Sequence, residues 1–292
     1  VPELPEVEST RRNLLPFIEG RQIASILVRQ SQLRLPVSPT LAMQRNLQIT
    51  DLRRRGKYLL LHTKAGTILI HLGMSGRIAL LQPPLPLPER HDHVDMLLDN
   101  GHVLRFRDPR RFGLMLWLED QPERHPLLAS MGPDPFEPAC SPGYLATKAA
   151  GRRVALQPWL MDGRIIAGVG NIYAAETLFR AQLHPAMAAG TVPEEYWPGL
   201  LQELRAVLSQ AIANCGTTLR DFRTPDGTRG NHGAALHVYG RTGQPCPRCT
   251  TPIQRLVLRQ RSSFFCPGCQ EDMRKPQTRD APDPCLTDTP GI

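Results

Sequence analysis

Four cysteines limit what the end of this chain can fold into: Cys246-x2-Cys249-x16-Cys266-x2-Cys269. Two Cys-x-x-Cys pairs at this separation set four thiolates on two facing turns, the ligand set of a tetrahedral zinc site. With every position taken by protein sulfur no place remains for water, so the one Zn2+ expected here is structural: it holds a small hairpin and does not catalyse. Between the pairs, Arg255-Leu256-Val257-Leu258-Arg259-Gln260-Arg261 alternates as a strand does and would turn basic side chains outward. Such a ribbon serves nucleic-acid proteins and purely structural modules alike, and a solvated surface explains the same arginines. Of seven cysteines, Cys140, Cys215 and Cys285 stand outside the motif. An odd number with no secretory signal argues for thiols and metal rather than disulfides.

The remainder of the 292 residues has room for two domains with cores of their own. The 41% hydrophobic composition is ordinary, and no apolar run approaches the roughly 18 residues that span a bilayer. The Pro- and Glu-rich start lacks the basic and apolar regions of a signal peptide, so a cytoplasmic protein without a membrane partner is expected. Charge is more telling: 35 Lys+Arg against 27 Asp+Glu leave +8, with a pI near 9.4. Most of these cations are Arg, whose planar fork matches phosphate oxygens, although a basic balance alone describes a solvated face equally well.

From Glu6 to Ile18 a broad apolar stripe (Val7, Leu14, Leu15, Ile18) predicts a helix that Gly20 ends. Short runs rich in Ile, Leu and Val follow: Ile23–Val28, Tyr58–His62, Thr67–Leu72, Val94–Leu98, His102–Arg107 and Leu114–Leu118. Their spacing, with turns such as Asp99-Asn100-Gly101 between them, predicts a β-sandwich or barrel. Pro83–Pro88 is too rigid and donor-poor for a central strand and reads as an exposed loop. Around Gly132-Pro133-Asp134-Pro135 the pattern turns helical, which sets a domain boundary there, with helices over Asn171–Gln182 and Glu194–Asn214. Gly216–Gly233 reads as a long polar loop open to a functional role. Beyond Cys269 the chain is Pro- and Asp-rich, and residues 271–292 read as a disordered tail.

Four further stretches carry possible chemistry. Asp108-Pro109-Arg110-Arg111-Phe112-Gly113 and His71-Leu72-Gly73-Met74-Ser75-Gly76 place a Met and a Phe on loops among polar neighbours. Met74 and Phe112 are either wedges that enter a base stack or core residues at strand ends. Ala167-Gly168-Val169-Gly170-Asn171 is a glycine turn into a helix, whose free N–H groups suit a DNA phosphate. It lacks the residues of a nucleotide-binding loop. Pro2-Glu3-Leu4-Pro5-Glu6 reads most simply as a Pro-stiffened helix entry.

Taken together and in order, PELPEVE, Gly56-Lys57-Tyr58, HLGMSG, His91-Asp92-His93-Val94-Asp95, DPRRFG, PWLMD, GVGNIYA and the zinc ribbon resemble the formamidopyrimidine-DNA glycosylases of bacteria through about residues 2–270. Leu4 favours that branch over the related endonuclease VIII branch, which opens PEGPE. The resemblance implies an α+β, two-domain chain. An N-terminal β-sandwich with a leading helix (1–133) is followed by a helix–two-turn–helix domain with a lesion-recognition loop (134–235) and a zinc-finger β-hairpin (236–270). On this resemblance DNA would lie in the cleft between the lobes.

It also implies excision of oxidised purines such as 8-oxoguanine and formamidopyrimidines, then nicking of the abasic strand. Pro2 would attack C1′ as a terminal secondary amine, with the Lys57 ammonium nearby lowering its proton affinity. Glu3 resembles the proton donor to the sugar ring oxygen, Lys57 that of β-elimination and Arg261 that of δ-elimination. A guanidinium is a poor acid, so phosphate clamping suits Arg261 better. His91, Arg110, Arg152 and Asn171 match DNA-contact positions. Met74, Arg110 and Phe112 match the triad that fills the hole left by a flipped nucleotide. No external cofactor is needed for this route. The partner would be double-stranded DNA with oxidised bases or abasic sites, bound by a monomer.

Two departures stand out. Val1 occupies the place of an initiator Met whose removal frees the proline; a GTG start codon, read as Met in the cell and cleaved there, is the expected explanation. At Gly230-Asn231-His232-Gly233-Ala234-Ala235 the family often carries an aromatic pair, which bears on lesion preference. A non-catalytic damage-binding protein and an oxidised-pyrimidine glycosylase are the alternative readings.

Overall fold

The computed structural model describes residues 2–119, 121–217 and 223–270. Val1 and the tail from residue 271 lie outside the described residues, as does part of the Gly216–Gly233 loop. The first helix, α1 (Leu4–Ile18), starts as soon as proline permits: Pro5 sits in its first turn, where a missing N–H is harmless, and Glu6 accepts the Glu3 N–H at 2.8 Å. After β1 (Gln22–Val28) and the short α2 (Pro39–Met43) come β2 (Arg45–Arg55), β3 (Tyr58–Thr63), β4 (Thr67–His71), β5 (Arg77–Leu81), β6 (Asp92–Leu98), β7 (Val103–Arg107) and β8 (Leu114–Leu118). Among the described residues these eight strands run antiparallel in the order β5-β7-β6-β1-β2-β3-β4-β8.

Residues from both halves of that order meet in one core. Ile23, Ile78, Val94 and Phe106 pack in the same cluster as Leu59, Ile70 and Met115, which is the packing of a sandwich. Strand β2 has no counterpart among the sequence-predicted runs. Its buried residues are Leu47, Ile49 and Leu52, and the register shifts between Ile49 and Asp51 against β3, so the bulge breaks the period-2 signal.

The helical lobe follows α3 (Pro126–Ala129) and contains α4 (Pro142–Ala149), α5 (Leu156–Leu160), α6 (Asn171–Arg180) and α7 (Tyr196–Ala213) around Trp159, Tyr173, Leu178 and Leu204. Then β9 (Gln254–Leu258) and β10 (Arg261–Phe265) form the terminal hairpin, packed through Cys246, Ile253 and Cys266 on Ala175 and Phe179 of α6. One helix joins the two large cores. Val7, Leu14 and Ile18 of α1 belong to the sandwich core, whereas Leu4 belongs to the helical one. The chain start is thereby held at the junction. Among the described residues no helix is long and apolar enough to cross a membrane.

Candidate active site

Because α1 crosses the junction, its first turn is fixed from both sides. Leu4 N donates to Gly168 O at 3.1 Å, tying Pro2 and Glu3 to the turn that leads into α6. The Glu3 carboxyl lies against Gly170, where a Cβ would fall 2.2 Å from Glu3 Cδ, so only glycine admits it. Glu3 Oε1 accepts the Ile172 N–H at 3.1 Å. The glycine turn read as a phosphate site is thus occupied, at this N–H, by a carboxylate of the protein itself. The physical reason is the same: free N–H groups and the positive end of a helix favour any anion. Glu3 Oε2 is buried and has no hydrogen-bond partner among the described residues. Leaving such an oxygen unpaired costs on the order of 1–3 kcal/mol, which a ligand atom would recover.

Beneath Glu3, Glu6 is fully paired. Its Oε1 accepts from Tyr173 Oη at 2.5 Å and Thr217 N at 2.7 Å, and its Oε2 from Glu3 N at 2.8 Å. Burial first, and then the neighbouring Glu3, push its pKa up from the ordinary carboxyl value. One carboxylate therefore joins the chain start, α6 and the beginning of the loop after α7.

Lys57 comes from the tight Gly56-Lys57 turn between β2 and β3, where Gly56 takes φ +56°. The turn is braced from behind: Arg55 Nη2 donates to Gly132 O at 2.7 Å, and Arg54 bonds Gly56 O at 3.1 Å and Asp134 Oδ2 at 2.7 Å. Burial lowers the Lys57 pKa; Glu3 opposes the shift and Arg261 adds to it.

Met74 and Phe112 are not core residues: they are 38% and 46% exposed. Their loops are locked together underneath. Gly73 (φ +64°) approaches the Gly113 backbone so closely that a Cβ would lie 2.4 Å from Gly113 N. Buried Asp108 accepts from Ser75 Oγ at 2.6 Å and Gly113 N at 2.7 Å. Arg110 lies over the Phe112 ring at 4.9 Å.

Of the sequence-predicted residues, Pro2, Glu3, Lys57 and Arg261 line one cleft of about 460 Å3, and Met74, Phe112 and Asn171 line it too. His91, Arg110 and Arg152 do not. His91 is half-buried at the start of β6 with its ring 6.5 Å from His93, and Arg152 borders a separate basic cavity with Lys148, Arg153 and Arg259.

The cleft also contains Arg34, His71 and Tyr239, which sequence reading passed over. His71 accepts the Gly73 N–H at 2.9 Å, and burial, with Arg34 and Lys57, draws its pKa down to about 4, leaving it neutral at pH 7. Tyr239 is set by Glu176, which accepts three successive N–H groups, from His237, Val238 and Tyr239. His71 lay inside a quoted motif. Arg34 and Tyr239 had no pattern to mark them.

At the hairpin, the ligand atoms of Cys246, Cys249, Cys266 and Cys269 lie within 4.8 Å of one another. Their sulfurs approach to 3.8 Å (Cys246 and Cys269) and 3.4 Å (Cys249 with Cys266 and with Cys269). A tetrahedral Zn–S bond of about 2.3 Å requires sulfurs about 3.8 Å apart, so the site fits one structural zinc ion.

Comparison with known proteins agrees with this geometry. Residues 1–115 match the profile described as "Formamidopyrimidine-DNA glycosylase N-terminal domain", 131–223 its "H2TH domain", and 243–271 a "Zinc finger found in FPG and IleRS". The formamidopyrimidine-DNA glycosylase of Edwardsiella ictaluri is 49% identical over 270 residues, 92% of this chain and all of that protein. That of Methylococcus capsulatus is 47% identical over 271 residues, again 92% of this chain and all of the relative. The crystal structure of the MutM (Fpg) protein of Thermus thermophilus superposes with a TM-score of 0.83 at 38% identity, covering 92% of this chain and 98% of that one. The Lactococcus lactis Fpg in complex with abasic-site DNA gives 0.85 at 29% identity, covering 93% and 100%. With the cleft, the zinc hairpin and three matched segments all in register, the chain belongs to the bacterial formamidopyrimidine-DNA glycosylase family.

Proposed function

We propose that this chain excises oxidised purines from duplex DNA and then cleaves the abasic strand, with the amine of Pro2 as the nucleophile. One observation carries the reading: Pro2 and Glu3, with its partnerless carboxyl oxygen, share a cleft with Lys57 and Arg261. A flipped nucleotide entering there presents C1′ to the Pro2 nitrogen. The amine forms a bond to C1′ as the glycosidic bond breaks, and Glu3 Oε2 delivers a proton to the ring oxygen as the sugar opens to the iminium. The iminium accepts the electron pair released when C2′ loses a proton. The 3′ phosphate then leaves, followed by the 5′ phosphate.

Lys57, its pKa lowered by burial, gives and takes protons at the first elimination. Arg261 clamps phosphate for the second. Met74, Arg110 and Phe112 fill the vacated stack, and His91, Arg152 and Asn171 contact the backbone. On this reading residues 1–133 form the catalytic lobe, 134–235 the helical lobe and 236–270 the zinc finger; the zinc holds Arg261 in place and supplies no chemistry of its own. The enzyme works as a monomer on the bacterial nucleoid in the cytoplasm.

The chemistry requires Val1 to be absent from the working protein. Borohydride reduction with abasic or 8-oxoguanine duplex, on protein whose N-terminus has been verified by intact mass, should leave a covalent adduct on the Pro2 peptide. Protein that retains a residue before Pro2 should give none. An adduct elsewhere, or equal trapping by both forms, would overturn the assignment.

A further inference from the structure

Gln157 lies in α5, is 2% exposed, and carries no role in the chemistry above. Its side chain nevertheless joins three elements. Nε2 donates to Asn171 Oδ1 at 2.9 Å, Oε1 accepts from Ser263 Oγ, and Asn171 Nδ2 donates to Ser262 O at 2.8 Å. The orientation of both amides follows from chemistry. Ser262 O can only accept, so Asn171 must present its NH2 there and its oxygen to Gln157. Gln157 then has to answer with its own NH2, which leaves Oε1 for the Ser263 hydroxyl. Ser263 is itself 1% exposed, so water does not substitute for the bond between Gln157 and Ser263.

The ring of bonds closes between the N-terminus of α6 and the first residues of β10. Arg261 immediately precedes Ser262 and Ser263 on that strand, and it is exposed, reaching the cleft mouth without an ion pair among the described residues. The zinc fixes the far end of the hairpin, whereas this ring fixes the end that enters the cleft.

We propose that Gln157 is a positioning residue for the second elimination: its amide sets Asn171 and the start of β10 so that Arg261 meets the 5′ phosphate, while the Pro2 step proceeds without it. The proposal rests on the reading of Arg261 as the group acting on that phosphate. Neither Pro2 nor Lys57 bonds to the ring, so with enzyme in saturating excess, where a weakened Asn171 contact to the DNA backbone is offset by concentration, the first elimination should be insensitive to it.

The test is the product distribution on a duplex with an abasic site, read as ends carrying a 3′ phosphate against ends carrying the 3′ unsaturated aldehyde. Gln157→Leu removes both arms, and Gln157→Glu sets an acceptor against Asn171 Oδ1. Each should raise the aldehyde share about fivefold, the effect of about 1 kcal/mol of lost hydrogen bonding. Borohydride-trapped Pro2 adduct and zinc content should stay at wild-type values. Ser263→Ala, which deletes one arm without touching α5, should shift the products the same way and keeps the test open if the Gln157 variants fold poorly. A wild-type product ratio in Gln157→Leu and Ser263→Ala, alongside a shifted ratio in Arg261→Gln, overturns the positioning role alone. No shift in Arg261→Gln overturns the reading beneath it as well. A parallel fall in trapped adduct and 3′ phosphate marks Gln157 as a general structural residue and equally overturns the proposal.

Discussion

The zinc hairpin and the cleft floor are organised in opposite ways. All four ligands of the hairpin fall within residues 246–269, on either side of one β-turn. The floor draws on partners far apart in the chain: Glu3 with Ile172 across 169 positions, Glu6 with Tyr173 across 167 and with Thr217 across 211. A metal brings its own folding energy to a local loop, so the hairpin needs little else. The floor has no such source. It exists only because α1 is buried in two cores at once, and its polar groups, Glu3 Oε2 apart, are paired with one another.

The contrast can be broken at four places. The largest effect is expected at the floor: Glu3→Gln keeps the acceptor for Ile172 N but removes the acid, and should slow release of 8-oxoguanine roughly 10³-fold, within the range for a lost general acid. Strand cleavage at a preformed abasic site should fall much less. Single-turnover excision within tenfold of wild type would remove Glu3 from the mechanism.

Next comes the brace behind the floor. Glu8 pairs with Arg11, Arg12 and Arg54. Burial would raise its pKa, but these hydrogen bonds and charges win and hold it at about 2, below the ordinary 4.5. A depressed carboxyl pKa stabilises the fold above the unfolded value and loses that contribution as pH falls from 4.5 toward 2. Glu8→Gln should therefore cost on the order of 2 kcal/mol at pH 7, solvent screening of the exposed Arg12 reducing what the full shift would give, with the gap to wild type closing near pH 2 in denaturant titrations. Glu6 has the opposite sign: raised by burial and by Glu3, its contribution is present below its ordinary value and fades as pH rises. A gap for Glu8→Gln that stays constant with pH would deny the ion-pair account.

Chelation of the zinc tests independence directly. It should weaken DNA binding roughly thirtyfold, about 2 kcal/mol, by releasing Arg261, yet leave Trp159 and Trp197 packed with ring centroids 5.4 Å apart in the helical core. Tryptophan emission that shifts to the red together with metal loss would mean that the hairpin and the core are one unit. The smallest effect belongs to Tyr173→Phe. It deletes one of the bonds to Glu6 and should lower stability by about 1 kcal/mol, measurable as a change in urea midpoint at unchanged slope.

The same contrast explains what sequence reading recovered. The cysteine spacing, the Pro-led helix and the Gly-Lys turn are local patterns, and the ordered series of short motifs carried the family. Strand β2 escaped because its bulge breaks the alternation, and β5 because its apolar run Ile78-Ala79-Leu80-Leu81, with Ile78 its one buried residue, shows no alternation. Met74 and Phe112 could be wedges or core residues until Gly73 and Gly113 were found packed backbone to backbone, which leaves both side chains facing solvent.

By itself, then, the sequence determined the metal ligands, the secondary structure that has clean periodicity, and the chemical groups on offer at Pro2, Glu3, Lys57 and Arg261. Tertiary structure alone decided which carboxylate is fully paired within the protein. Glu3 and Glu6 are the same residue three positions apart on one helix, and no local rule separates them. Burial at the lobe junction gives Glu6 three donors and leaves Glu3 Oε2 with no partner among the described residues.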